Sequence, residues 1–244
     1  MATIDAELRT IAAIRAGDVA ELRRLLGENP GLAAMRLVVS GGGRTPLHIV
    51  ADWPGYFPNG PEIARMLIEA GANLDARGND DGSGETPLHW TASNDDVEVA
   101  AVLIEAGADL DAADGSIGTP VANAVGYGCW NVARLLVTHG AKVDALWIAA
   151  ALGMIGRIEE LLGDPEVASP DMISQAFWHA CAGHQRRAAE MLLGRGARID
   201  WVPDYASGTP LDAAQGQSTQ QQNVIEWLQG LGASRADDEN RESG

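Results

Sequence analysis

Cysteine is nearly missing from this sequence: 244 residues contain two, Cys129 and Cys181. Both fall inside apolar stretches with helical spacing, which excludes a disulfide framework and predicts reduced, buried thiols. Basic residues are scarce too, with 17 Lys and Arg against 34 Asp and Glu for a net charge of −17. A chain this acidic is repelled by phosphate backbones and anionic membranes. Its only basic pairs, Arg23–Arg24 and Arg186–Arg187, are flanked by acids or apolar residues, so neither nucleic acid nor membrane is expected as a partner. Long apolar runs are lacking as well. None reaches the roughly 18 residues of a membrane span, and the opening "MATIDAELRTIAAIRAGD" mixes charge and apolarity with helical spacing, unlike a signal peptide. The expectation is a folded cytoplasmic protein, because 46% hydrophobic and 21% charged residues suffice for a sizeable core.

What is present is self-similarity. Thr-Pro recurs at Thr45, Thr86, Thr119 and Thr209, and Gly-Ala at Gly71, Gly107, Gly140, Gly196 and Gly232. The steps from Thr86 to Thr119 and from Gly107 to Gly140 are both 33 residues, so two independent markers share one period. Each marker has a physical role. Thr before Pro supplies an N-cap oxygen and a preset φ that starts a helix. Leu103–Ile104, Leu135–Leu136 and Met191–Leu192–Leu193 give the apolar stripe of a second helix, which the following Gly ends in the left-handed region.

The segments "TPLHIVADW…EIARMLIEAGANLDA", "TPLHWTASNDDVEVAAVLIEAGADLDA" and "TPVANAVGYGCWNVARLLVTHGAKVDA" resemble ankyrin repeats, and the resemblance runs from about Ile4 to Ala233. It implies an all-α solenoid of about six helix–turn–helix units with β-hairpin-like fingers, the inner helices lining a concave surface. It implies no chemistry. No single unit could bury its own apolar face, so stability must come from stacked neighbours.

The expected organisation is an N-terminal capping helix pair over 1–36, ankyrin-type repeats over 37–200, a C-terminal capping repeat over 201–233 and a frayed tail over 234–244. Within 37–200 the units fall at about 37–77, 78–112, 113–144, 145–171 and 172–200. The last two lack Thr-Pro-Leu-His; Phe177–Trp178 is read as opening the fifth inner helix, and "QGQSTQQQN" as a solvent-tolerant link in the sixth unit.

His48 and His89 read as structural, since in segments of this type the imidazole bonds nearby backbone and Thr oxygen. No His, Cys or carboxylate spacing suggests a zinc site, "RGNDDGSGE" misses the offsets of a calcium loop, and "VSGGGRTP" lacks the Lys-Ser/Thr of a phosphate loop. Both loops read as fingers, and no metal or cofactor is implied.

Laying the inner helices side by side, positions i, i+3 and i+4 give Ile49, Asp52 and Trp53; then Trp90, Ser93 and Asn94; then Asn123, Gly126 and Tyr127. These resemble the ligand-facing positions of the ankyrin inner helix, with the core served by Leu47, Val50, Leu88, Ala92 and Val121. The insertion "PGYFPNGP", Pro54 to Pro61, lengthens the first unit by about five residues, and its prolines are expected to hold Tyr56 and Phe57 as a lip over the groove. Trp130 and Trp178 join the candidate ligand-binding set. Trp130, Trp147 and Trp178 could equally fill seams between repeats, a choice the sequence leaves open.

The leading reading is a monomeric binding module whose aromatic groove takes a peptide or small molecule, cationic by preference because ring faces and Asp52 attract the same charge. One alternative is an enzyme using Asp52 as general acid or base with Tyr127, Asn94 or His179 assisting. A second is a scaffold whose whole concave face is covered by a protein partner.

Overall fold

The structure, a computed structural model, describes residues 2–38, 43–79 and 81–238. The Gly-rich finger at Gly41–Gly42 and the tail from Glu239 onward lie outside the described residues. The chain divides into two compact units, Met1–Lys142 and Val143–Gly244. Among the described residues the regular structure is helical, with no strand. No described helix is long and apolar enough to cross a membrane.

The first unit holds four consecutive helix pairs: α1 (Ala2–Ala16) with α2 (Val19–Glu28), α3 (Pro46–Val50) with α4 (Gly60–Glu69), α5 (Pro87–Asn94) with α6 (Val97–Glu105), and α7 (Pro120–Gly126) with α8 (Trp130–Thr138). First helices pack on first helices and second on second, giving two layers. The local signals act as read. Thr45 and Thr86 cap their helices, Pro46 and Pro87 follow at the first position, and His48 and His89 close the capping box from the third. After the second helices, Gly71, Gly107 and Gly140 have φ between 91° and 98°. The Ala72 N–H then reaches back to the Leu67 carbonyl at 3.0 Å, a left-handed helix stop. The aspartates behind the first two stops tie one repeat to the next: Asp75 accepts from the Asp109 N–H at 2.9 Å, and Asp111 from the Lys142 N–H at 2.8 Å. Part of the acidity is therefore structural.

The fingers carry no strand among the described residues. Between α4 and α5 the Gly78 N–H bonds the Glu85 carbonyl at 2.8 Å and the Asn79 N–H bonds the Ser83 carbonyl at 3.1 Å. The Asp81 carboxylate in the same loop accepts from Ser83 itself, which makes it a turn brace; no described group of three or more His, Cys, Asp or Glu is placed to hold a metal ion.

The second unit holds three pairs: α9 (Leu146–Ala151) with α10 (Ile155–Leu162), α11 (Pro170–Ala182) with α12 (Arg186–Gly194), and α13 (Pro210–Ala213) with α14 (Thr219–Gly230). Three sequence readings change here. Phe177–Trp178 lies in the middle of α11, because Ser169-Pro170 does the work of Thr-Pro, the Ser169 hydroxyl accepting from the Met172 N–H. The glutamine-rich stretch is the start of α14 and not a link, since Ser218 and Gln221 form a capping box. The residues after 233 are docked as far as Ala236: Arg235 pairs with Asp212 at 3.0 Å, and the Ala236 N–H bonds the same carboxylate at 2.9 Å.

The core consists of the inner stripes. Leu47, Ile49, Leu88, Leu103 and Leu136 are fully buried, whereas Leu135 is half-buried. Leu103→Ala is therefore expected to cost about 2–5 kcal/mol and Leu135→Ala clearly less. Urea titration of the two variants checks this; equal losses would mean that α6 and α8 present different faces from those described.

Candidate functional site

Four segments converge in the first unit. The turn before α3 brings Arg44, the end of α3 brings Ala51, Asp52 and Trp53, the turn before α5 brings Glu85, and α5 brings Trp90, Ser93 and Asn94; together they line an open cleft of about 200 Å³. Trp53 is 79% exposed. Trp90 serves two roles: it meets the His48 ring edge-on with centroids 5.0 Å apart, and it carries the Arg44 guanidinium over its ring at 4.9 Å. Trp90 is therefore both a packing residue and part of the cleft surface.

Charges in the cleft are arranged unequally. Asp52 is paired with Arg15 at 3.1 Å and, more loosely, with Arg44 at 3.9 Å. Glu85, half-buried, is held by neutral donors. Its Oε1 accepts from the Ser116 N–H at 2.9 Å and the Asn123 amide at 2.6 Å, and no described cation pairs with it. Burial works to raise the Glu85 pKa, but these donors outweigh it and hold the carboxyl below its usual range. It stays charged.

Several expected site residues have other duties. Ile49 is core, its side chain fully buried. Asn123 is buried and orients Glu85, while its Oδ1 accepts from the Ile117 N–H at 3.0 Å. The Asn94 amide is spent on the Ala51 carbonyl at 2.9 Å, with its Oδ1 taken by the Asp96 N–H at 3.1 Å. Tyr56 is not a lip over the cleft. Its N–H bonds Asp96 at 2.7 Å and its hydroxyl donates to the Asp95 carbonyl, so the insertion is tied to the turn after α5, and neither Tyr56 nor Phe57 lines the cleft. Proline stiffness was legible in the sequence; the direction of the loop was set by these distant acceptors. Tyr127, 53% exposed, pairs with the Ser116 hydroxyl at 3.1 Å beside the Glu85 brace. Trp130 opens α8, a second helix, away from the cleft lining.

His48 and His89 are seam residues. In each, Nδ1 receives the N-cap Thr backbone N–H, at 3.1 and 3.2 Å, and Nε2 meets a carbonyl of the following finger at 3.0 Å: Glu85 for His48, Gly118 for His89. The network requires a neutral ring protonated on Nε2, and burial pushes the His48 pKa down to about 4. The second unit keeps the joint with a different residue. Trp178 stands six residues before the left-handed His184, as His89 stands six before Asp95. Its indole N–H donates to the Gly208 carbonyl at 2.9 Å. His179 follows it, buried against Trp147 at 4.7 Å and bonded to the Tyr205 hydroxyl at 3.0 Å. His179, Trp178 and Trp147 thus form an aromatic joint within that unit. Also in the second unit, a wider groove of about 740 Å³ runs past Arg186, Arg187, Thr219 and Asn223, but Arg186 is already held by Glu190 and Asn223.

Sequence reasoning missed Arg44 and Glu85. Both sit immediately beside Thr-Pro, at turn positions that carry no helical periodicity, so the face pattern that flagged Trp90 could not reach them. Comparison with curated proteins finds no match. Residues 59–145, which span α4 to α8, match the family model described as ankyrin repeats in three copies. Over residues 59–145 the chain therefore carries ankyrin repeats, and the helices outside that span are paired in the same helix–turn–helix manner.

Proposed function

We propose that this chain is a recognition module for a protein partner, and that the partner docks on the first unit around Trp53 and Trp90. Ankyrin repeats are in general protein–protein interaction modules. The observation that carries the location is Trp53: a large apolar side chain left 79% exposed beside a cleft, where burial by a partner gains the most. The size of the cleft favours a protein segment over a free small molecule. Its roughly 200 Å³ accommodates one side chain, whereas small-molecule sites enclose roughly 300–1,000 Å³. A catalytic role for Asp52 has less support, because Arg15 and Arg44 already engage its carboxylate and Asn94 is committed to backbone. The net charge of −17 speeds encounter with a basic partner at low salt.

The test is selection of binding peptides from a random displayed library against the full chain. Trp53→Ala is expected to weaken the selected peptides by a factor of about ten or more with little change in melting temperature, as a hot-spot aromatic does. Trp90→Ala should weaken them similarly but also cost stability, because that ring packs on His48. Met172→Ala, an exposed apolar residue in the other unit, serves as control. Peptides that bind Trp53→Ala, Trp90→Ala and wild type alike would remove this surface from consideration.

A further inference from the structure

On that reading of the surface, we infer that the partner inserts a basic side chain, Arg or Lys, which displaces Arg44 from the face of Trp90 and pairs with Glu85. Three observations converge. First, Glu85 is a half-buried, charged carboxylate held by Ser116 and Asn123, and no described Lys or Arg pairs with it. Holding a carboxylate in place beside the cleft without neutralising it leaves its charge available to a partner's cation. Second, the ring of Trp90 already shows which chemistry it takes, because a guanidinium lies 4.9 Å over it. Third, that guanidinium is weakly held. Arg44 is 3.9 Å from Asp52, while Arg15 holds the same carboxylate at 3.1 Å and remains there if Arg44 leaves. With Arg44 swung into solvent, Asp52 is still balanced by Arg15, and Glu85 gives the emptied cleft a net negative charge.

Displacement exchanges one cation over Trp90 for another, so the ring contact nearly cancels. The gain is the pair with Glu85, which Arg44 does not make. Specificity follows: a neutral side chain of the same shape would forfeit the Glu85 contact and still have to move Arg44.

The probe is acetyl-Gly-Arg-Gly-amide, titrated at millimolar concentrations into the ¹⁵N-labelled full chain while the Trp90 indole N–H resonance is followed. Acetyl-Gly-citrulline-Gly-amide, equal in shape and uncharged, is the comparison. The arginine peptide is expected to shift the resonance saturably and the citrulline peptide to leave it in place. Glu85→Gln keeps an oxygen for Ser116 and Asn123 and should fold; it is expected to weaken the arginine peptide roughly tenfold. Arg44→Ala, which clears the ring, is expected to tighten it. Equal response to both peptides, wild-type affinity in Glu85→Gln, or no tightening in Arg44→Ala would each overturn the inference. If selected peptides depend on Trp53 while these outcomes occur, the recognition surface stands and only its basic occupant is wrong.

Discussion

Acidification from pH 7 to pH 4 is expected to cost the first unit on the order of 3 kcal/mol through His48 alone. The imidazole is buried, and burial lowers its pKa from 6.5 to about 4. Each pKa unit corresponds to about 1.4 kcal/mol. The sign follows from linkage: between those two values the unfolded chain binds a proton that the folded chain refuses, so stability falls as pH falls. The contribution is complete above pH 6.5 and lost by about pH 4. The structural reason is specific, because Nδ1 accepts the Thr45 N–H at 3.1 Å and protonation there turns an acceptor toward a donor. His179, also lowered to about 4 by burial, imposes the same dependence on the second unit. Glu85 and Asp212, held below the usual carboxylate range against their own burial, add their losses further into acid. Urea titrations at several pH values between 7 and 4 measure the slope. His48→Gln should remove its own share of the slope and leave the share of His89, which burial also lowers, and a wild-type curve level across that interval would show that the rings protonate without penalty.

Phe177→Ala is expected to destabilise the second unit by about 3–5 kcal/mol, the range for removing a large aromatic side chain from a core. Phe177 is fully buried in the middle of α11, and its ring meets Trp227 of α14 edge-on at 6.5 Å. Neighbouring backbone cannot collapse into the space, because α11 is pressed against α9: a Cβ built on Gly183 would lie 2.1 Å from the Ala151 carbonyl oxygen. Met172→Ala on the same helix, exposed, should change stability by no more than about 0.5 kcal/mol. Denaturant unfolding of the two variants distinguishes them. Similar small losses in both would mean that Phe177 is not in the core and that the register of α11 is wrong.

The candidate site was only partly legible. Trp53 and Trp90 stood out because a large aromatic at a helix position already served by Leu88 and Ala92 is surplus to the core. Asn94, Asn123 and Tyr56 shared the same spacing or loop and could not be told apart from them, since spacing says where a side chain starts and not which distant carbonyl or N–H will claim it. Asn94 was claimed by Ala51, Tyr56 by Asp95 and Asp96, and Asn123 by Glu85. Trp178 shows the converse. Its role as a seam donor became visible only when Gly208 was found under its N–H, because the motif it replaces is written with histidine.

The sequence by itself determined where helices start, where they stop and which stripes they bury. Thr-Pro capping, left-handed glycine and apolar spacing act within a few residues of one another, so they are complete before the chain folds back. The period of 33 residues then required stacked neighbours, since no single pair can cover its own apolar face. Only the tertiary structure decided what the surface presents. Arg15, Arg44, Asp52, Glu85 and Trp90 come from three helix pairs and two turns, and their pairing depends on distances that no local pattern encodes. Stacking placed two arginines on Asp52 and none on Glu85, and that imbalance, invisible in a count of 34 acids and 17 bases, gives the cleft its chemistry.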